Sequence, residues 1–398
     1  MQAPDLTVDG HAPEAEATAA IVSACQRLLP GWAGAPVDVR LLAGGISNAL
    51  FAVSCPVGKA AFRIYGDNTE RFVDRARELD VMRLVHQHGF GPQVLATFAN
   101  GRIEEFLPMR SLQPEELAAS QFVPTIAATL ARFHSIPPRQ GGEKRGRTPF
   151  GRIYEWLDIA EQFVFDDPEK QRVFATFDFA ALRAEVKHVE QAAAAASSPI
   201  VFSHNDLLSG NIMVPLDAAF KAGAVGEAFV SSSSSSRGGS SSLSPEAHEA
   251  AVRQRATMTF IDFEYADWAP RGFDWGNHFC EYAGFECDYT RYPGKEQAVL
   301  FIQHYLAAAA GSQDCDAAAL DKAELARCVA EANVFALAAH QYWGTWSLLQ
   351  ANWSSIDFDY LGYAQLRWGE YHRRKEEFLA EAARAFGPDH PQLQRVTG

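Results

Sequence analysis

The chain has 398 residues, 47% of them hydrophobic, and a formal net charge of −14. That is enough apolar content for a large core in two lobes. The acidic balance argues against a nucleic-acid partner, because phosphate contacts need clustered Lys and Arg.

Residues 1–20 lack an apolar signal core, and no apolar run reaches the ~20 residues that span a bilayer. A cytoplasmic protein with no membrane insertion is therefore the expectation. Cys25, Cys55, Cys280, Cys287, Cys315 and Cys328 show no paired metal-ligand spacing, so they read as reduced thiols packed as small apolar groups.

In chain order, residues 1–36 read as an N-terminal extension with one small helix ending near Pro30-Gly31. Strand candidates follow at 37–42, 48–54 and 59–65, separated by Gly or Pro turns. Phe72, Ala76, Leu79, Met82 and Val85 recur at helical spacing until Gly89 stops the pattern. Strands at 93–98 and 102–106 flank Asn100-Gly101, a strong hairpin signal. Residues 37–112 thus read β-β-β-α-β-β. Residues 113–398 read as mostly helical, with strands near 199–203, 212–214 and 258–262. A Ser-rich insertion at 220–256, unbroken from Ser231 to Ser236, buries too little apolar surface to order itself and is expected to be disordered. The fold class this implies is α+β, a two-lobed protein kinase-like fold with a small antiparallel β lobe and a large, mainly helical lobe. Architecture alone proves no chemistry.

The sharpest motif is His204-Asn205-Asp206-Leu207-Leu208-Ser209-Gly210-Asn211, between two short strands. Protein kinases carry H-R-D-x-x-x-x-N in such a place, where Asp takes the acceptor's proton and Asn holds metal. The bland reading, loop caps and a turn-forming Asp, is weakened by a second element. Phe260-Ile261-Asp262-Phe263-Glu264-Tyr265 is an apolar strand ending in an acidic residue, as before the kinase D-F-G. Asp262 suits Mg²⁺, which takes hard oxygen ligands. Glu264 stands where protein kinases have Gly.

Weaker signals lie upstream. The turn with Gly44, Gly45, Ser47 and Asn48 can bring backbone N–H groups to phosphates, against a default of a plain hairpin turn. Arg63 lies on the third strand, where kinases place a phosphate-contacting Lys, and Glu78 on the next helix, where its ion-pair partner would be. The bland reading of Glu78 is a solvated helix face. Glu104, Glu105 and Phe106 end the fifth strand, where an adenine would meet the backbone. This assigns nucleotide binding to an N-terminal lobe at 37–112, and catalysis and acceptor binding to a C-terminal lobe at 113–398, with ATP and Mg²⁺ as cofactors.

Taken together, these motifs, Arg63-Ile64-Tyr65-Gly66 and the R-G-F-D-W-G-N-H-F-C-E run ending at Glu281 resemble the choline/ethanolamine kinase family from about residue 41 to 378. The resemblance implies phosphorylation of an amino alcohol at its hydroxyl, the first step toward a phospholipid headgroup. It places the catalytic Asp on Asp206, the metal-binding Asp on Asp262 and the metal-loop Asn on Asn211. Glu281, Trp343, Trp346, Phe358 and Tyr363 would line the amino-alcohol pocket. Asp274 reads as a structural anchor that could also reach the substrate.

A quaternary ammonium is held by aromatic faces, whereas a primary ammonium has three donors and suits carboxylates. Trp343, Trp346 and Glu281 offer both. The wording Glu281-Tyr282-Ala283-Gly284 and 357–364 is similar to ethanolamine kinases. Choline kinases carry a further pocket aromatic where this chain has Glu286 or a neighbour. Ethanolamine is thus the expected acceptor. The alternatives are a choline or dual-specificity kinase, another small-molecule kinase, and a pseudokinase binding module. The resemblance leaves a homodimer open.

Overall fold

The computed structural model describes residues 1–10, 12–44, 48–66, 74–138, 148–216, 257–311 and 321–387. The Ser-rich insertion lies outside them, as do Gly45 and Ser47 of the Gly-rich turn and Phe72. The described residues fall into two compact units. Residues 1–110 and 261–264 form the first, and 111–216, 257–260 and 265–387 the second.

The first unit holds β1 (Gln2–Ala3), α1 (Glu14–Leu28), β2 (Asp38–Gly44), β3 (Asn48–Cys55), β4 (Gly58–Tyr65), α2 (Arg75–Gln87), β5 (Val94–Phe98) and β6 (Gly101–Glu105). They build one six-stranded sheet in the order β1-β5-β6-β4-β3-β2. Along β4 the side chains of Ala60, Phe62 and Ile64 are buried at every second position. They meet Ile21, Ala24, Cys25 and Leu28 of α1, spaced along one helical face. Arg63, out of phase with that set, points to the opposite face. The Asp74 side chain caps α2 by accepting from the Arg77 N–H at 3.1 Å.

Residues 1–36, read from the sequence as an N-terminal extension with one small helix, contribute β1 and α1 to the sheet unit. β1 pairs in parallel with β5. The Asn100 side chain accepts from Val8 N–H at 3.0 Å and donates to Val8 C=O at 2.7 Å. A strand two residues long carries no periodicity, so the sequence could not announce it. The hairpin turn also differs in detail. Phe98 pairs with Gly101, so Ala99 and Asn100 make the turn. Gly101 is needed inside the strand, where an added Cβ would lie 2.2 Å from the Arg63 carbonyl oxygen.

The chain leaves the first unit within β7 (Met109–Ser111). The second unit holds α3 (Pro114–Leu117), α4 (Val123–His134), α5 (Pro149–Ala160), α6 (Pro168–Phe174), α7 (Phe179–Ala195), β8 (Ile200–Ser203), β9 (Ile212–Pro215), β10 (Thr259–Phe260), β11 (Asp267–Pro270), α8 (Arg271–Cys280), α9 (Lys295–Ala309), α10 (Lys322–Trp353) and α11 (Tyr360–Phe386). β9 pairs antiparallel with β10, and β8 with β11. α10 is buried on all sides over most of its length, and α5, α7, α8, α9 and α11 pack around it.

Two glycines set how closely the helices approach. A Cβ on Gly276 of α8 would lie 2.3 Å from the Ala336 backbone nitrogen of α10, and one on Gly344 of α10 would lie 2.7 Å from Cδ1 of Trp368. Backbone cannot rotate away as a side chain can. Gly276→Ala is therefore expected to cost about 2–3 kcal/mol by forcing α8 and α10 apart. Its denaturation midpoint should fall accordingly, and an unchanged midpoint would contradict this packing.

Candidate active site

In the second unit the H-N-D segment is a loop between β8 and β9, closed by a 3₁₀ turn at Ser209–Asn211. The loop is held from beneath by one carboxylate. Asp274 on α8 is fully buried. Its Oδ2 accepts the His204 N–H at 2.7 Å and the His134 Nε2–H at 2.9 Å, and its Oδ1 accepts the Asn205 N–H at 2.6 Å. With both oxygens committed, Asp274 is an anchor. Burial alone would raise its pKa, but the His134 hydrogen bond and neighbouring donors reverse this, and the group lies below its ordinary value.

Asn205 takes a positive φ of 64°, a conformation costly for a non-glycine residue. The cost is offset by its surroundings. Its Nδ2 donates to Tyr265 C=O at 2.9 Å, and its carbonyl accepts from Asn277 Nδ2 at 3.4 Å. His278 Nδ1 donates to Leu207 C=O at 3.0 Å. The fixed loop turns the partly exposed Asp206 outward. Asn211 Nδ2 donates to Asp206 C=O at 2.8 Å and to Asp206 Oδ2 at 3.1 Å. The Asp-to-Asn spacing of the motif thus closes on itself, and Asn211 keeps its amide oxygen as acceptor.

Glu281 follows α8 on the same unit and is nearly buried. Its Oε1 accepts from Arg367 Nη1 at 3.0 Å. Trp343 Nε1 donates to Asn277 Oδ1 at 2.7 Å and Trp346 Nε1 to the Tyr265 hydroxyl at 2.8 Å. These bonds fix the two indoles, whose centroids are 5.5 Å apart. The ring series continues through Tyr360, Phe358 and Tyr363 at centroid spacings of 6.0, 4.9 and 5.8 Å. Phe285 joins it, 6.4 Å from Phe358 and 6.3 Å from Tyr363, and is 52% exposed. Phe285, the neighbour of Glu286, thus adds a further aromatic ring to this series. Phe285, Tyr360 and Arg367 were missed by the sequence reading. Arg367 had a signal, being a lone cation among Tyr360, Leu361, Tyr363, Ala364, Trp368 and Tyr371 on the apolar face of α11.

In the first unit, Arg63 donates from Nε to Glu104 Oε1 at 2.7 Å. Glu78 is buried and accepts from Arg102 Nη1 at 2.8 Å and Arg75 Nη1 at 2.7 Å. The expected Arg63–Glu78 pair is therefore not made. Arg63 and Arg102 face each other across β4 and β6, so two like charges need carboxylates between them. Glu104 takes Arg63 and lies 3.3 Å from Arg102 Nε, while Glu78 takes Arg102. Glu105 N–H bonds Gln93 C=O at 2.8 Å, tying the strand end to the start of β5. Gly44 ends β2 and Asn48 begins β3; of the rest of that turn nothing is described.

Asp262 has a positive φ of 64°, and its charge helps stabilise the Arg63 guanidinium. Glu264 is nearly buried, and its Oε2 accepts no hydrogen bond from the described residues. Burial, then the Asp262 and Glu78 carboxylates, push the Glu264 pKa up to about 8. Its charge partner is Arg75, whose Nη1 lies 4.0 Å from Oε2, and two such carboxylates, Asp262 and Glu264, offer oxygens of the kind a hard divalent cation takes. Among the described residues no three His, Cys, Asp or Glu side chains gather to hold a metal alone. Mg²⁺ binds through one or two carboxylates plus phosphate and water oxygens.

The choline/ethanolamine kinase pattern matches residues 39–372. The chain belongs to the choline/ethanolamine kinase family. As a member it is a phosphotransferase with an alcohol acceptor. It is 32% identical over 363 residues to a probable ethanolamine kinase of Arabidopsis thaliana, covering 89% of this chain and 85% of that one. It is 30% identical over 374 residues to ethanolamine kinase 1 of Homo sapiens, covering 90% and 72%. Among solved structures, Plasmodium vivax ethanolamine kinase superposes with a TM-score of 0.73 at 25% identity, covering 92% and 90%. The sheet unit and the mainly helical unit are those of the two-lobed, kinase-like fold that the sequence implied. Among the described residues, no helix is long and apolar enough to cross a membrane.

Proposed function

We propose that this kinase transfers the γ-phosphoryl group of ATP to the hydroxyl of ethanolamine, giving phosphoethanolamine. The observation that carries the acceptor assignment is Glu281, a nearly buried carboxylate on the unit that also holds Asp206 and the aromatic wall. The names of the relatives point the same way. Ethanolamine's ammonium donates three hydrogen bonds, which a carboxylate satisfies and indole faces cannot.

Asp206 acts as the base that accepts the hydroxyl proton as the oxygen attacks. Asp262 supplies the carboxylate for Mg²⁺, and Asn211 an amide oxygen. Mg²⁺, when bound, neutralises charge on the β- and γ-phosphates. Arg63 and the turn at 44–48 orient phosphate, with Glu78 holding its neighbours Arg75 and Arg102. Glu105 marks the strand end whose backbone meets the adenine. Glu281 pairs with the ammonium, while Trp343, Trp346, Phe358 and Tyr363 wall the site.

The test is ADP release with ethanolamine, with choline and with no acceptor. A lost charged hydrogen bond is worth about 1.5–3 kcal/mol, so kcat/KM should favour ethanolamine over choline by about tenfold or more. Equal values would make the enzyme a dual-specificity kinase, a reading favoured by the exposed ring of Phe285. ADP release that ignores both acceptors would overturn the assignment.

A further inference from the structure

Arg367 is 1% exposed, on α11, and it is the residue that fixes Glu281. Its Nη1 is shared between Glu281 Oε1 at 3.0 Å and the Tyr363 hydroxyl at 3.1 Å, and its Nη2 donates to Ala339 C=O of α10 at 3.3 Å. One planar guanidinium therefore ties together the residue after α8, the backbone of α10 and an aromatic of α11. Glu281 Oε2 takes no hydrogen bond from the described residues, and the Glu281 side chain keeps 10% of its surface exposed.

We propose that Arg367 is a positioning residue for the amino-alcohol site. It holds Oε1 so that Glu281 presents Oε2 to the substrate's ammonium, and it locks the Tyr363 ring of the aromatic wall to the same point. The argument rests on the reading of Glu281 as the ammonium's partner.

Three physical considerations support it. A carboxylate on a flexible stem loses rotamer entropy on binding a ligand, and pre-fixing it removes that cost. A fixed fork positions a carboxylate where the point charge of Lys cannot. Finally, a cation so close to an ammonium site would repel substrate unless the carboxylate stood between them. Arg367 meets this condition, since its Nη1 is spent on Glu281 and Tyr363 and its Nε is buried. A purely structural ion pair joining α8 and α11 would affect stability and leave the Michaelis constants alone.

The experiment uses the full chain. Arg367→Lys, Tyr363→Phe, Glu281→Gln and the Arg367→Lys/Glu281→Gln double variant are compared with wild type for the KM of ethanolamine, the KM of ATP and kcat. Arg367→Lys is expected to raise the ethanolamine KM about tenfold while the ATP KM stays within about twofold. Tyr363→Phe, which removes one of the two groups sharing Nη1, should raise it about threefold. Once Glu281 is Gln, Arg367→Lys should change the ethanolamine KM less than about twofold, because the carboxylate it positions is gone.

The inference is overturned if a folded Arg367→Lys leaves the ethanolamine KM unchanged, if both KM values rise in parallel, or if the two substitutions multiply in the double variant. Should Arg367→Lys fail to fold, Tyr363→Phe decides, and an unaltered ethanolamine KM there overturns the inference. These outcomes spare the functional reading. A wild-type enzyme that phosphorylates neither amino alcohol overturns that reading and this inference with it.

Discussion

Asp206→Asn is expected to lower kcat by on the order of 10²–10⁴ while the fold and ATP affinity persist. The substitution is nearly isosteric, and the loop around it is held by other groups. His204 and Asn205 N–H bind Asp274, and Leu207 C=O binds His278. Asn211 still has the backbone carbonyl of residue 206 to donate to. What is lost is the negative charge and basicity that draw the acceptor's proton. Thermal melting and nucleotide titration should match wild type while turnover collapses. Near-wild-type kcat in a folded variant would remove Asp206 from the role of base.

Asp274→Asn is expected to cost about 3–5 kcal/mol and to abolish activity through the loop it supports. The carboxylate satisfies two backbone N–H groups and His134 in a fully buried place. An amide there keeps one acceptor and turns an NH₂ group toward a donor, which leaves a buried hydrogen-bond donor unmatched. Because the folded state lowers the Asp274 pKa, its stabilising contribution is complete above the ordinary value of 3.8 and is lost as pH falls below it. The stability of wild type should therefore drop more steeply below about pH 4 than that of the Asn variant. A variant as stable as wild type, with an unaltered acid limb, would show that the three donors find other partners.

The two acidic motifs were legible because their residue spacing is local, and the third strand was legible from its run of residues between turn signals. Ala60, Phe62 and Ile64 alternate inward, which leaves Arg63 on the other face. The anchoring role of Asp274 was legible too, through its place in the R-G-F-D run. Pairings across the sheet were not. Arg63 is drawn to Glu104 because β6 sets Arg102 opposite it, and register between strands is a tertiary fact. β1 escaped for a related reason: its two residues, Gln2 and Ala3, are strand only through their pairing with Thr97 and Phe98 of β5, distant in sequence. Phe285 became visible only when the aromatic rings were gathered from segments distant in sequence, and so did the link from Arg367 to Glu281.

The most direct test is to identify the product. Phosphorus NMR of wild-type enzyme with ATP, Mg²⁺ and ethanolamine should show an ethanolamine phosphomonoester accumulating with ADP, and none with Asp206→Asn. Inorganic phosphate released in place of the ester, or no acceptor-dependent signal with ethanolamine or choline, would contradict phosphoryl transfer to an amino-alcohol hydroxyl.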